Sequence, residues 1–289
     1  MFLLSLLLAA VAAAAPVQTA HRRTPYVGAI AVDCANGKVL FKDQENAECY
    51  PASCTKLMTA RLALKAVRTG SLALNDRLVQ SAVSFRERPS WLGIPPGASV
   101  SVKDGLAALM VQSANDVAVM FAEKIGGSTA NFVAMMNAEA KRLGMSNTRF
   151  ASPNGYPPPA GSKRGYDRST AADLAILARS LLSEFPEILG YTSIESLTVP
   201  GVVTREGSLL QMYNHNNLLV GNRRNGLAKM TEVDGLKTGY HNAGGSSIVL
   251  TGQRNGKRAV VVVAGSSSAK VRDETAGRML SDALFVITW

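Results

Sequence analysis

Pro51-Ala52-Ser53-Cys54-Thr55-Lys56-Leu57-Met58-Thr59-Ala60 is the stretch on which the reading of this chain turns. A proline and a run of small residues lead into good helix formers, which predicts a helix from Ser53 to about Arg68, ended by Thr69-Gly70. Three residues past Ser53, Lys56 returns to the same helix face one turn up, so hydroxyl and amine can meet. A serine alcohol is a poor nucleophile until a base takes its proton. Lysine can be that base only when burial or another cation pulls its pKa down. A second cation and polar groups should therefore converge here from elsewhere in the chain. Cys54 points about 100° round the helix from Ser53 and reads as a small buried residue. The Ser-x-x-Lys spacing recurs at Ser267 and Lys270, where no helix-starting context precedes it; that copy reads as a loop.

Composition bounds what such a site could serve. The chain has 289 residues, 47% hydrophobic and 18% charged, with a formal net charge of +10. That is enough apolar material for a packed core and too little charge for a disordered protein. Lys and Arg are scattered, with only pairs such as Arg22-Arg23 and Arg223-Arg224, and no basic stripe carries interleaved aromatics. Nucleic-acid binding is not expected; an anionic cell envelope fits the charge. Met1 to Ala15 is apolar and too short to span a bilayer, which takes about 20 residues. With small residues near Ala14 it reads as a signal peptide, residues 1–14, although no Lys or Arg precedes it. No later segment is long and apolar enough to cross a membrane. Of the three cysteines, Cys34 with Cys49 would close a loop worth up to about 3 kcal/mol, but an odd count leaves one free and the pairing stays open.

Along the chain, Tyr26 to Asp33 reads as a strand, Asn36-Gly37 as a two-residue hairpin turn, and Lys38 to Phe41 as the return strand. Leu72 to Val100, broken by Pro89, Pro95, Pro96 and Gly97, is irregular and wraps one side of the site. Ser101 caps a helix from Val102 to Val111, followed by helices over about Ala114 to Lys124 and Thr129 to Leu143, an α-helical insert. Phe150 to Tyr166, rich in Pro, Gly and Ser, is a loop, and Ser169 caps a helix from Thr170 to Leu182. Leu197 to Val203 is strand-like. Val233 to Tyr240, Ser246 to Gly252 and Arg258 to Ala264 are strands, the last two joined by Asn255-Gly256 and the last placed deep in a sheet. Arg272 to Leu284 closes as an amphipathic helix. Strands at both ends with helices between describe one α+β unit, residues 15–289, whose termini share an antiparallel sheet.

Three short signals stand in order: Ser53-x-x-Lys56, Ser113-Ala114-Asn115 and Lys237-Thr238-Gly239. Ser-x-Asn alone is weak, since Ser152-Pro153-Asn154 matches it too, whereas Lys-Thr-Gly occurs once. They fall at a helix start, at a helical junction, and on a strand that precedes a hairpin pair. That set resembles the one found, in its Ser-Asp-Asn form, in serine acyl-enzymes of the penicillin-binding and β-lactamase type. Lys237 is the second cation the chemistry demands, able also to attract a substrate carboxylate. Ser113 can pass a proton between Lys56 and a leaving amine, and Asn115 can hold Lys56 and a substrate amide. Gly239 would let a substrate backbone lie along the strand edge.

The longer contexts, Pro-Ala-Ser-x-Thr-Lys-Leu-Met-Thr, Gln-Ser-x-Asn-Asp, Leu143-Gly-Met-x-Asn-Thr-x-Phe150 and Val233-Asp-Gly-Leu-Lys-Thr-Gly239, resemble the D-alanyl-D-alanine carboxypeptidases, low-molecular-mass penicillin-binding proteins of the S11 serine peptidase group. The resemblance covers about Tyr26 to Leu284. It implies a penicillin-binding, β-lactamase-like serine transpeptidase fold and no cofactor or metal. The implied acyl-enzyme on Ser53, with Lys56 as base, releases the terminal D-alanine of peptidoglycan stem peptides and is trapped by β-lactam antibiotics. It further implies Lys237 and Thr238 lining the substrate strand, an oxyanion hole from the backbone N–H groups of Ser53 and Tyr240, and Arg272 on the terminal carboxylate. Departures are Tyr240 where some relatives have histidine, His215 where some have arginine, and Asn154-Gly155-Tyr156 for His-Gly-Leu. The chain stops after its last helix, without the β-rich second domain and anchoring tail of many relatives. A soluble or loosely attached enzyme, secreted to the periplasm or the cell-wall side of the membrane, is the implied result. A D,D-endopeptidase working by the same route is the runner-up. A class A β-lactamase is disfavoured by the lack of Glu-x-x-Leu-Asn between Asn115 and Lys237, and a non-catalytic β-lactam sensor by the intact serines and lysines.

Overall fold

The computed structural model describes residues 25–87, 89–203, 209–222 and 226–289, so the expected signal segment, residues 1–14, lies outside it. Strands β1 (Gly28–Asp33) and β2 (Val39–Asp43) lead through a 3-10 turn (Ala52–Thr55) into helix α1 (Lys56–Arg68). A small antiparallel pair, β3 (Arg77–Val79) and β4 (Ser99–Ser101), precedes helices α2 (Val102–Val111), α3 (Asn115–Gly126) and α4 (Thr129–Arg142). After α5 (Ala171–Glu184) and the single turn α6 (Leu189–Thr192) come β5 (Ser196–Val203), β6 (Leu209–Tyr213) and α7 (Asn217–Val220). Strands β7 (Val233–His241), β8 (Gly245–Arg254) and β9 (Lys257–Ser266) and helix α8 (Ala269–Thr288) complete the order.

The five-stranded sheet runs β2-β1-β9-β8-β7 with every neighbour antiparallel. The first strand thus pairs with the last, and the valine-rich β9 lies at the centre, as its sequence predicts. Side chains alternate across the sheet. Val260, Val262 and Ala264 join Ile30 and Val32 in the core built with the α1–α5 helices. Ala259, Val261 and Val263 join Ala29 and Ala31 against Ala276, Leu280, Ala283 and Leu284 of α8. Both faces of β9 are buried, and each buried valine contributes roughly 1.5–2 kcal/mol of transfer free energy. β7 sits at one edge of this sheet, which leaves its outer backbone toward the site.

Local corrections have local causes. The β8–β9 turn is the expected two-residue type: Arg254 pairs with Lys257, and Asn255 and Gly256 have φ of 50° and 74°. The β1–β2 turn is longer, because the Asp33 carboxylate takes the Ala35 N–H and the Asn36 side-chain amide, and only Gly37 turns left-handed. Cap chemistry moves two helix starts. Thr170, not Ser169, caps α5, and Ser268 caps α8, so α8 begins before Arg272 and carries Lys270 on its exposed face. The second Ser-x-x-Lys copy is therefore a capped helix start rather than a loop. The irregular segment from Leu72 to Val100 contains β3, β4 and a 3-10 turn over Ser84–Arg86. Among the described residues the three cysteines are free thiols, so the Cys34–Cys49 bridge does not form. No helix among them is long and apolar enough to cross a membrane.

Candidate active site

The α-helix proper begins at Lys56, and Ser53 belongs to the 3-10 turn before it. In a 3-10 turn residues i and i+3 eclipse, which brings the two side chains closer than α geometry does. The Lys56 Nζ lies 3.0 Å from Ser53 Oγ. Two glycines pack against this turn. A Cβ on Gly155 would lie 1.8 Å from the Ala52 carbonyl oxygen, and one on Gly239 would lie 2.6 Å from that of Pro51 and 3.0 Å from the Ser53 nitrogen. Ala52, held left-handed at φ 49°, is buried with Cys54, while Ser53 between them stays half-buried. Gly239 also lines the cavity over Ser53, and the close approach gives it a second role. Its missing side chain makes room for the protein's own Pro51–Cys54 backbone.

Lys56 is fully buried, and its amine reaches two further oxygens: Asn115 Oδ1 at 2.7 Å and the backbone carbonyl of Asn154 at 2.7 Å. Both are acceptors only, so they claim N–H groups of the amine. In the neutral amine the remaining direction, toward Ser53 Oγ, is the lone pair. Burial, then the Lys237 ammonium, push the Lys56 pKa well below the usual lysine range, against a smaller upward pull from Glu87 and Asp167. Lys237 is buried too and donates to the Thr238 carbonyl at 2.9 Å; burial and Arg272 bring it down to about 8. Lys237 thus lies close enough to Lys56 to act on its proton affinity.

A cavity of about 320 Å³ opens over Ser53. Ser113, Asn115, Thr238, Gly239, Tyr240 and Arg272 line it with Ser53, whereas Lys56 and Lys237 lie beneath its surface. Ser113 adopts φ 61° at the break between α2 and α3, which turns it into the cavity; it is not among the three groups bonded to Lys56. Arg272 directs Nε and Nη2 to Asp273 Oδ1, 2.7 Å each. His215 lines the same cavity on its open side. Its surroundings, Lys237, Lys56 when protonated, and Arg272 push its pKa down, with solvent damping the effect, and it stands there as a neutral imidazole at neutral pH.

The motifs did not disclose the supports of the site. Asp167 accepts from the Ala151 and Ser152 N–H groups and from Ser152 Oγ, and Ser152 Oγ in turn accepts from Gly155 N–H at 2.9 Å. That frame aims the Asn154 carbonyl at Lys56. Asp116 accepts from Leu92, Gly93 and Val117 N–H groups and ties the Trp91 loop to the start of α3. The sequence signals were present but mute: Ser152-Pro153-Asn154-Gly155 read as a turn, and Asp116 as the residue after a motif.

Comparison with known proteins agrees with this geometry. Residues 16–268 match the family model of D-alanyl-D-alanine carboxypeptidases, peptidase S11. The chain is 33% identical over 256 residues to the D-alanyl-D-alanine carboxypeptidase DacF of Bacillus subtilis, covering 88% of this chain and 61% of that protein. It therefore spans about three-fifths of the length of such relatives. The crystal structure of DacD from Francisella tularensis superposes with a TM-score of 0.80 at 26% identity, over 93% of this chain and 72% of that one. Penicillin-binding protein D2 of Listeria monocytogenes, in its cefotaxime-bound form, gives 0.74 at 29% identity, over 90% and 97%. With its fold, a serine hydroxyl set against a buried lysine amine and this match over most of its length, the chain belongs to the D-alanyl-D-alanine carboxypeptidase family of serine peptidases, S11.

Proposed function

We propose that the protein is a serine D,D-carboxypeptidase that removes the terminal D-alanine of peptidoglycan stem pentapeptides through an acyl-enzyme on Ser53, and that β-lactams trap it there. The observation that carries this reading is the buried Lys56 amine, two of its directions taken by obligate acceptors and the third on Ser53 Oγ. The neutral amine takes the Ser53 proton as Oγ attacks the penultimate D-alanine carbonyl carbon. Backbone N–H groups of Ser53 and Tyr240 hold the oxyanion, a kind of contact worth about 10²–10³ in rate. Ser113 relays the proton from Lys56 to the departing D-alanine amine as the C–N bond breaks, and water then hydrolyses the ester. Lys237, Thr238 and Arg272 receive the carboxylate, and the outer edge of β7 pairs with the peptide backbone. The cefotaxime-bound form of the Listeria relative supports the β-lactam part of the reading.

Residues 1–14 serve in this reading as a secretion signal. The remaining chain is one catalytic unit acting on the wall side of the cytoplasmic membrane, in the peptidoglycan maturation that sets cell shape. The test is intact-mass analysis after benzylpenicillin, with the adduct mapped by peptide, together with D-alanine release from a stem pentapeptide analogue. An adduct on Ser53 and release of D-alanine are expected. No release, or equal labelling of Ser53→Ala, refutes the proposal, and preference for cross-linked dimers over pentapeptides would convert it to an endopeptidase.

A further inference from the structure

One carboxylate beside the site has no part in the steps above. Glu87 follows the 3-10 turn Ser84–Arg86 in the segment that wraps the cavity, and it is partly buried. Its Oε2 accepts from Asn154 Nδ2 at 2.8 Å. The same asparagine accepts the Tyr156 N–H on Oδ1 at 2.9 Å and presents its backbone carbonyl to Lys56 Nζ at 2.7 Å. One residue thus links a carboxylate to the amine that activates Ser53, through two hydrogen bonds and a single rigid loop position. Asp167 and Ser152 hold the other end of this loop and Gly155 rests on the Ala52 carbonyl, while Glu87 ties the Asn154 side chain itself.

We infer that Glu87, acting through Asn154, is a positioning residue that fixes the Asn154 carbonyl on Lys56 and sets the pH at which that amine becomes a base. The inference rests on the reading of Lys56 as the base for Ser53. Charges facing Lys56 come from every side: Lys237 from β7 lowers its proton affinity, and His215 lies across the cavity. Glu87, Asp167 and, more weakly, Cys54 raise it. Burial pushes Glu87 itself up, while the Asn154 bond, Arg164 and Lys56 pull it down and Asp116 opposes them. Arg164 is anchored nearby on the Tyr156 carbonyl at 2.7 Å. Asp167 is spent on three donors of its own loop, which leaves Glu87 as the carboxylate whose contact runs directly to the residue on Lys56. An ionised Glu87 favours the ammonium, so it keeps the base from becoming fully neutral too far below neutral pH. It thereby offsets part of the repulsion from Lys237.

The experiment reads the amine directly. Lysine Cε is labelled with carbon-13, the Lys56 resonance is identified by its loss in Lys56→Arg, and it is titrated in wild type, Glu87→Gln and Glu87→Asp. Glutamine keeps an acceptor for the Asn154 amide and removes the charge. The midpoint is expected to fall by about one pH unit, as for a single charge two hydrogen bonds away at an effective dielectric constant of about 20. The acidic limb of benzylpenicillin acylation moves down with it, and Glu87→Asp returns both most of the way. An unchanged midpoint in Glu87→Gln, with only a lower Tm, overturns the inference and leaves Glu87 a loop support. If wild type forms no Ser53 adduct, the acyl-enzyme reading fails, while the titration still decides the coupling.

Discussion

Gly239→Ala tests how the site is held together. The added methyl would stand 2.6 Å from the Pro51 carbonyl oxygen, 3.0 Å from Ser53 N and 3.1 Å from Cys54 N, all backbone atoms that no rotamer change can move aside. A carbon needs about 3.3 Å from such an oxygen, so β7 and the serine turn must separate by roughly 0.7 Å. The two proposed oxyanion donors ride on the separating pieces, Ser53 on the turn and Tyr240 on β7. Catalytic constellations tolerate only about 0.5 Å, and one displaced donor costs about 10²–10³ in rate. The expected result is a benzylpenicillin acylation rate constant roughly 100-fold lower, with the non-covalent dissociation constant little changed. Overpacking should also remove about 1–3 kcal/mol of stability, a few degrees of Tm for a chain of this size. Rapid-mixing kinetics with a fluorescent penicillin across concentrations separate binding from acylation, and calorimetry gives Tm. A wild-type rate constant, or a loss confined to the dissociation constant, would refute the argument and return Gly239 to the role of making space for substrate.

Three further outcomes are expected. Arg61 is wholly buried and shares Glu139 with Lys65 and Arg142; their bonds bring that carboxyl down to about 2 against the upward push of burial. Arg61 also holds Glu184 at 2.6 Å, so Glu139→Gln removes one of its two carboxylates and should cost about 1.5–3 kcal/mol in urea unfolding while leaving Ser53 acylation intact below the transition; a loss under 1 kcal/mol, on the order of an exposed pair, would contradict this. His241 is buried with Nδ1 accepting the Gly244 N–H at 2.9 Å, and burial pushes it down to about 4. Between about 4 and 6.5 the unfolded chain binds a proton that the native imidazole refuses, so stability rises with pH there and is lost as pH falls, by roughly 2–3 kcal/mol. His241→Gln should flatten that slope in urea melts at pH 4.5, 5.5 and 7, and an unchanged slope would assign it to other groups. Cys49 and Cys54 are buried with their thiols pushed up, Cys54 to about 11. Native protein should therefore resist a thiol reagent at those two positions and show no mass change on reduction; a gain of two hydrogens would reveal a disulfide.

What the chain announced by itself was local or periodic. Ser53 and Lys56 meet because three residues of a tight turn bring side chains together whatever surrounds them. Asn255-Gly256 closes a two-residue hairpin because its backbone prefers left-handed angles, and Val260 to Val263 lie mid-sheet because nothing else accepts a run of four valines. Lys237-Thr238-Gly239 was recognisable as a motif, yet the contact its glycine makes with the Pro51 carbonyl was not, since that carbonyl is remote in sequence.

The lowered proton affinity of Lys56 depended on such distant meetings. The Asn154 carbonyl reaches Lys56 across 98 positions and Asn115 across 59. Glu87 and Asp167 then hold the Asn154 loop in place. A proton affinity is set by burial and by every charge within a few ångströms, and those quantities exist only once the helices close over the lysine. Turns and strands follow from backbone preference, which is written residue by residue; the electrostatics of a buried amine belong to the folded whole.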